Sequence, residues 1–376
     1  TNFASQLVDY YTDRLIREPA LHDKVEFEIV LSCYSLDLQK KMEALKKAGF
    51  SDKACKTLTN SLRNLTNRII DPKIGLWQKD AEKLDILNSR RETVMSSEFD
   101  ILTKIYWLVE DAKRYGTLPF AGLARAGFIA IQILKSLVSI GIFNDADYQN
   151  FMASISTISR KMMRDRCRLH KSNFLELYGH LRPGSYDILS KRYDEAPDHY
   201  FDWEARPEDP GPNKKFSLTS SQEKQIKTAL DMHGLLISPI QLLQFIKLAI
   251  ELRETAKYYF THNLSDVLAL INQLGAQFSF DREDLAFSNI NTFKELHVSG
   301  ANAKEFISRS IVEGKELYAD TTRLMLPPLI IKSTDIWAFE WPETEPNFIT
   351  QKQAIGIVKK VDSIGSLGDA IVCIPN

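Results

Sequence analysis

The fold class of this 376-residue chain is decided by a segment that begins Ser238-Pro239-Ile240-Gln241-Leu242-Leu243-Gln244-Phe245-Ile246. Serine is a favoured helix N-cap and proline a favoured first helical residue, so Ser238 and Pro239 predict the start of a helix. Apolar residues then recur at helical spacing as far as Ile250. The segment therefore predicts a strongly apolar α-helix.

The same helical spacing continues outward through most of the chain, up to about Leu326. A capping box of the Ser-x-x-Glu type at Ser220–Glu223 predicts another helix start. Phe260–Asp266 is typical of a turn and N-cap that open a further helix, with His262 at the helix end. The remaining predicted helices are 3–17, about 22–45, 51–70, 77–95, 97–114, 145–169, 264–274 and 303–324.

The longest apolar stretch, Leu118–Phe143, follows a predicted break at Tyr115–Pro119. It is interrupted by Arg125, Gln132 and Lys135, which a membrane span would tolerate only at high cost. The stretch is therefore interpreted as two buried helices or one long core helix, and no contact with a membrane is expected.

The pattern changes after Pro327, where short apolar runs alternate with turns. The runs 329–331, 336–339, 355–358 and 370–374 predict β-strands. The overall prediction is a mainly α protein, a multi-helix domain with a small β-rich C-terminal segment. It divides into a helical domain at 1–202, a linker at 203–216, a second helical part of the same region at 217–326, and a β-rich, apparently truncated unit at 327–376.

Composition excludes some classes of function. The chain has 48 basic and 49 acidic residues and a net charge of −1, so no nucleic-acid partner is expected. Its four cysteines are scattered without a Cys-x-x-Cys pair, which predicts free thiols in a reducing cytoplasm rather than a zinc site. No complete catalytic motif is visible, so no catalytic residue and no metal ligand is predicted.

The richest polar constellation is the loop from Tyr178 to Glu195, where Pro183, Gly179 and Gly184 favour a rigid turn. Its arginines are suited to bind a phosphate or carboxylate, its histidine to act as an acid or base, and its Asp187 to fix that histidine or an arginine. The alternative is a structural network whose groups satisfy one another. The predicted substrate-binding residues of this loop are His180, Arg182, Tyr186, Asp187 and Arg192.

A second candidate site runs from Glu110 to Arg125. Glu110 and Arg114 are four residues apart and can pair on one helix face. Arg125 lies in an apolar run, so we expect it to need an anionic partner or an aqueous cavity. Arg114 and Arg125 are therefore predicted either to line a pocket for an anionic or polar acceptor or to form a buried ion pair between helices.

The stretch Tyr178-Gly179-His180-Leu181-Arg182-Pro183-Gly184-Ser185-Tyr186-Asp187-Ile188 resembles a segment of phosphoenolpyruvate synthase-like phosphotransferases, a family that includes rifampicin phosphotransferase. The segments 21–29, 61–66, 113–125 and 261–266 look like the middle region of these proteins, and 368–376 looks like the entry into their phosphohistidine domain. The resemblance spans essentially the whole chain. One departure is Lys191, where members of the family usually have proline, and this change would loosen the loop after Ser190.

The resemblance implies a role within a longer parent protein. In this family an ATP-grasp domain phosphorylates a histidine on a mobile domain, and that domain carries the phosphoryl group to an acceptor such as pyruvate. This chain would be the acceptor-binding middle region plus the first strands of the mobile domain, inactive alone. Its implied partners are the ATP-grasp and phosphohistidine domains of the parent chain and a small-molecule acceptor. ATP and Mg²⁺ are implied for the parent and no cofactor for this segment. The competing interpretation is a non-catalytic helical binding or scaffold protein.

Overall fold

The computed structural model describes residues 3–205, 209–211, 215–299, 302–327, 329–339, 357–360 and 370–373. Within these ranges the protein is mainly α-helical, which confirms the predicted class. The α-helices are α1 (Phe3–Arg17), α2 (Leu38–Lys47), α3 (Asp52–Ile70), α4 (Leu76–Ser96), α5 (Ile101–Asp111), α6 (Leu118–Ser139), α7 (Asp145–Ala153), α8 (Ile158–Arg168), α9 (Lys171–Tyr178), α10 (Pro197–Tyr200), α11 (Ser220–His233), α12 (Pro239–Gln277), α13 (Arg282–Leu285), α14 (Ile290–Val298) and α15 (Ala303–Thr321).

The central element is α12, a helix of 39 residues that lies against α4, α5 and α6. It begins where the sequence predicts. Ser238 is the N-cap, its hydroxyl accepts from the Gln241 backbone N–H, and the Gln241 side chain accepts from the Ser238 N–H in return. At 1.5 Å per residue the helix is about 58 Å long, enough to run through the whole helical body.

Two hydrophobic clusters pack along α12, one on each half. The first surrounds Leu242 and Ile246 and joins them to buried residues of α2, α3, α4, α6, α7 and α11. The second surrounds Val267 and Ile271 and joins them to α5, α14 and α15. Residues 258–266 of α12 lie between these clusters and carry its buried polar side chains, Thr261, Asn263, Ser265 and Asp266. The predicted helical parts 1–202 and 217–326 both contribute to each cluster.

The predicted break at Tyr115–Pro119 is wrong. Ala112–Thr117 forms a π-helical turn that joins α5 directly to α6, so Ile101–Ser139 is one helical stretch. Among the described residues it is the one helix whose length and composition would allow a membrane span, and half of its most apolar window is buried in the fold. Leu123, Ile129 and Ile133 are fully buried, as in the single long core helix that the sequence allowed.

The single helix predicted over about 22–45 is also wrong. A 3-10 turn at Pro19–Leu21 precedes this segment, which itself forms a π-helical turn at Val25–Ile29, and α2 begins only at Leu38. Tertiary hydrogen bonds replace helical ones here: the Tyr34 N–H donates to Thr66 Oγ1 at 2.9 Å and the Leu36 N–H donates to Ser136 Oγ at 3.2 Å.

Three local predictions need correction. The predicted helix 145–169 is divided into α7 and α8, because Thr157 caps a new helix. The capping box before α11 uses Thr219 and Gln222, one residue earlier than predicted. Phe260–Asp266 is not a helix start but the interior of α12.

The β-rich C-terminal segment is not supported. Leu329–Ile331 is not a strand, and Ser333–Ile336 is a 3-10 turn. In the described part of 327–376 the strands are two of four residues each, β1 (Ile357–Lys360) and β2 (Ala370–Cys373), which pair in parallel. Most of the expected segment, including 340–356 and 361–369, lies outside the described residues.

Candidate functional site: a loop fastened to the middle of the central helix

The loop that follows α9 is closed by its own backbone. The Tyr193 N–H donates to the Leu181 carbonyl at 2.9 Å, and the Asp194 N–H donates to the Gly179 carbonyl at 3.1 Å. Gly179 is required at this crossing, since a Cβ there would lie 2.9 Å from the Asp194 Cβ and would also clash with the Leu175 carbonyl. The two ends of the predicted site are therefore held side by side.

Arg182 fastens this loop to α12. Its guanidinium is buried, and Nη1 donates to the Asp187 and Ser190 carbonyls at 3.3 and 3.1 Å. Nη2 donates to the Ser265 carbonyl at 3.3 Å and to Ser265 Oγ at 3.2 Å. Ser265 Oγ in turn donates to the His180 carbonyl at 2.6 Å. Burial lowers the pKa of Arg182, but the side chain acts here as a multiple donor to neutral oxygens.

Arg192 belongs to a second, charged layer on the same face. It chelates Asp194 through Nε and Nη2 at 2.9 and 2.7 Å, and its Nη1 donates to Asp266 Oδ1 at 2.9 Å. Arg91 of α4 donates to the other oxygen of Asp266 at 2.7 Å. Asp266 is buried between the two arginines, so one carboxylate joins the loop, α12 and α4. Although burial lowers the pKa of Arg192, its hydrogen bonds to Asp194 outweigh this and the pKa is raised.

The end of the loop is fastened to α13. Arg282 donates to both oxygens of Glu195, at 2.8 and 3.1 Å. Burial would raise the pKa of Glu195, but the bond from Arg282 and the Arg192 N–H together lower it. Glu195 is therefore a stable anion at neutral pH.

His180 lies below this charged layer and stacks on His262 of α12, with ring centroids 3.6 Å apart and planes 10° apart. Tyr258 packs edge-on against His180, and its hydroxyl donates to the Leu177 carbonyl. His180 is 3% exposed, and within the described part of the chain neither ring nitrogen has a hydrogen-bond partner of good geometry. The Leu177 carbonyl gives its cationic form only weak support.

The electrostatics keep both histidines neutral. Burial, and then the neighbouring His262, Arg192 and Arg91, lower the pKa of His180 to about 2. Burial, and then Arg91 and Arg192, lower the pKa of His262 to about 3. A proton shuttle at neutral pH needs a pKa near 7, so neither ring is suited to general acid–base chemistry in this conformation.

The structure brings together three of the predicted site residues, His180, Arg182 and Arg192. Tyr186 and Asp187 are exposed at the edge of a separate cavity of about 440 Å³. The Asp187 carboxylate accepts the Leu189 N–H at 2.8 Å, and it is the Asp187 carbonyl that meets Arg182. The expected fixing of His180 by the Asp187 carboxylate is therefore not found.

The second predicted site is not part of this cluster. Arg114 is exposed and lies 3.9 Å from Glu110, which also pairs with Lys113 at 2.8 Å. Arg125 is exposed on α6, so solvent accommodates its charge and neither an anionic partner nor an aqueous cavity is needed for that purpose. The apolar run around it faces the core on one side only, which leaves the Arg125 face of the helix in water.

Sequence reasoning missed Arg91, Arg282 and Tyr258 and assigned Asp266 to a helix cap. Asp266 carried a usable signal, because an acidic residue directly before the apolar run Val267–Ile271 needs a cationic partner if it is buried. Among the described residues no three His, Cys, Asp or Glu side chains converge as metal ligands would. In comparisons with known proteins, no family model, curated protein or solved structure matches this chain.

Proposed function

We propose that this chain is the acceptor-binding and scaffold region of a phosphoenolpyruvate synthase-like, ATP-dependent phosphotransferase. The parent transferase would pass a phosphoryl group from ATP through a phosphohistidine to an acceptor such as pyruvate, with Mg²⁺ at its ATP site. The proposal includes ATP-grasp and phosphohistidine domains elsewhere in the parent chain, a cytoplasmic location, and no nucleic-acid or membrane partner. No catalytic residue is assigned within this chain.

One observation carries the proposal. The loop Tyr178–Glu195, whose sequence bears the resemblance, is held on α4, α12 and α13 by arginine side chains that are almost fully engaged. Phosphoryl transfer depends mainly on positioning and on stabilisation of charge, and a site fixed on rigid helices serves both needs. A mobile domain that must dock repeatedly at one place needs such a surface.

The predicted residues differ in burial, and we assign them different roles on that basis. Arg182 and His180 are buried, so we assign them to positioning the loop rather than to contact with the acceptor. Tyr186 and Asp187 are exposed at the tip of the same loop and are the residues that a docking domain or acceptor would touch. Arg114 and Arg125 are also accessible and remain proposed contacts on a neighbouring helical surface.

The alternative is a non-catalytic helical scaffold. The observation in its favour is that the charged groups of the loop pair with one another, as in Arg192 with Asp194 and Asp266 and Arg282 with Glu195. A network that satisfies itself needs no ligand to explain it.

The deciding experiment uses the intact parent protein, Mg²⁺ and ATP labelled at the β-phosphate. We expect an acid-labile phosphohistidine on the protein, and a screen for acceptors that discharge it would then identify the substrate. Absence of label on folded protein would support the scaffold alternative.

A second measurement tests the assigned surface. Tyr186→Ala should slow discharge to the acceptor while leaving phosphorylation by ATP unchanged. Tyr318→Ala is the matched control, because Tyr318 is a similarly exposed tyrosine on α15. Equal discharge rates in the two variants would remove Tyr186 from the site.

A further inference from the structure

A second concavity lies far along the fold from the loop, between α1, the 25–37 segment, α2 and α6. It has a volume of about 360 Å³, in the range of pockets for small molecules. One wall is the irregular segment 25–37, which contains the π-helical turn Val25–Ile29 and the non-helical residues after it.

The wall of this cavity is fixed by Gln132 of α6. Gln132 is 9% exposed, its Nε2 donates to the Phe27 carbonyl at 2.7 Å, and its Oε1 accepts from Lys41 Nζ at 3.3 Å. The Phe27 ring packs edge-on against Phe128 at 4.6 Å. The Gln132 side chain thus joins the irregular segment to the core helix α6. These hydrogen bonds fix the position of the cavity wall.

The floor of the cavity is apolar and neutral. Ile29, Leu45 and Cys33 line it and are buried. Burial raises the pKa of the Cys33 thiol to about 12, so the floor carries no thiolate. A hydrocarbon group would find a complementary surface there.

The rim carries three cations, Arg14, Lys41 and Lys135, and two carboxylates, Glu28 and Asp37. Each cation forms an ion pair with a carboxylate, but none of the three pairs is close enough for a hydrogen bond. Arg14 lies 3.8 Å from Glu18. Lys41 lies 3.9 Å from Asp37, and Lys135 lies 3.9 Å from Glu28. These separations exceed a hydrogen bond, whereas Arg91 and Asp266 elsewhere in the protein meet at 2.7 Å. The Ser35 hydroxyl donates to the Asp37 carboxylate at 2.6 Å, so this carboxylate has a closer partner than Lys41.

Further positive charge surrounds the mouth. An adjoining open cavity of about 470 Å³ shares Tyr10, Arg14 and Ala44 with the first and adds Arg17, Lys47 and Glu18. Together the two linings hold five cationic side chains and three carboxylates, so positive charge is in excess. Clustered cations around a low-dielectric concavity attract anions and hold them through charge-assisted hydrogen bonds.

We propose that this cavity binds an organic anion with an apolar body, whose carboxylate or phosphate group is held by Arg14, Lys41 and Lys135 and whose apolar part lies on Ile29, Leu45 and Cys33. The inference does not depend on the proposed function, because it uses neither the loop nor the resemblance. The same chemistry serves a carboxylate or a phosphate ester, and the test separates the two.

The test is a fluorescence titration of the chain with 8-anilinonaphthalene-1-sulfonate, an aromatic sulfonate. We expect a saturable site from which octanoate, octyl phosphate or both displace the probe. Displacement by one of the two alone identifies its head group as the preferred one. If neither displaces the probe, or if 1-octanol and octyltrimethylammonium displace it equally well, the proposal is wrong.

Variants place the binding in this cavity. Lys41→Met and Lys135→Met should each weaken the displaceable binding by about tenfold, as expected for loss of a charge-assisted hydrogen bond. Lys40→Met is the matched control, because Lys40 neighbours Lys41 on α2 but does not line the cavity. Ala44→Phe fills the mouth and should abolish the binding without touching the core. Unchanged affinity in Lys135→Met and Ala44→Phe would overturn the proposal even if Lys41→Met failed to fold.

Discussion

His180 and His262 stack face to face with their ring centroids 3.6 Å apart, in a buried layer below Arg91 and Arg192. Both rings are neutral there, because burial and the nearby guanidinium groups lower the pKa of each below its ordinary value of 6.5. The stack therefore makes the free energy of unfolding of the chain sensitive to acid.

The first prediction is the pH dependence of stability. The pKa values of His180 and His262 fall to about 2 and about 3 on folding, so below pH 6.5 the unfolded chain takes up protons that the folded chain does not. The free energy of unfolding should therefore be highest above pH 6.5 and fall as the pH drops towards 3, by about 2 kcal/mol for each histidine between pH 7.5 and 5. Urea unfolding at a series of pH values measures this.

Variants identify the source of that dependence. His180→Phe keeps an aromatic ring in the stack, so the fall in the free energy of unfolding between pH 7.5 and 5 should be smaller by the share of His180, about 2 kcal/mol. His262, and His233 whose pKa burial also lowers, would keep their own shares. His199→Phe, at an exposed position on α10, is the control and should retain the full dependence. If the free energy of unfolding depended on pH equally in the unmodified chain, His180→Phe and His199→Phe, the stack would not keep His180 neutral.

The second prediction concerns Arg182. Replacement by alanine leaves the Asp187, Ser190 and Ser265 acceptors without their donor, so we expect a loss of about 2–4 kcal/mol in the free energy of unfolding. Arg114→Ala, which removes an exposed arginine on another helix, should cost less than about 0.5 kcal/mol. Chemical denaturation compares the two, and equal effects would mean that Arg182 does not fasten the loop.

The third prediction concerns Asp266. Its replacement by asparagine removes the buried carboxylate between Arg91 and Arg192 and leaves two partly buried cations close together, at a cost of about 3 kcal/mol. Asp85→Asn, at an exposed position of α4, should have almost no effect. A double-mutant cycle with Arg192→Ala should be non-additive, since Arg192→Ala leaves Arg91 to pair with Asp266. Strict additivity would contradict the shared carboxylate.

The fourth prediction compares two glycines of one helical stretch. A Cβ at Gly116, in the π-helical turn, would lie 2.6 Å from the Phe260 Cβ, so Gly116→Ala should destabilise the protein by about 1–3 kcal/mol. At Gly127 the nearest atoms are 3.4 Å away, and Gly127→Ala should be neutral or stabilise by up to about 1 kcal/mol. Thermal unfolding of both variants is the measurement, and the reverse order would disprove the close packing of the turn on α12.

The fold class and several helix ends could be predicted because their signals are local. Ser51 and Ser238 each cap a helix with their own side chains, so nothing distant is needed to place them. Gly116 and Pro119 misled the prediction because both residues usually end helices. Pro119 instead lies in the first turn of α6, where its missing N–H costs little, and Gly116 allows the close approach of Phe260.

Only the part of the candidate site that lies close together in sequence could be predicted. His180, Arg182 and Arg192 lie within thirteen residues, so their grouping follows from the chain itself. Arg91, Asp266 and Arg282 come from three helices that are distant in sequence, and only packing brings them together. For the same reason the sequence could not tell whether the loop arginines face a ligand or a carboxylate of their own protein.

The polar layer between the two hydrophobic clusters also fixes the register of α12. A slide of the helix by one turn, about 5.4 Å, would disrupt the apolar packing of both halves and also the polar contacts between them. The same slide would separate Ser265 from Arg182 and Asp266 from Arg91, and would leave the buried Arg182, Ser265 and Asp266 without these partners. Such partners help to specify one alignment of the helix, as a single polar residue does in a coiled coil. The 39-residue helix is therefore held in register at its middle, where its buried polar side chains lie between the two apolar halves.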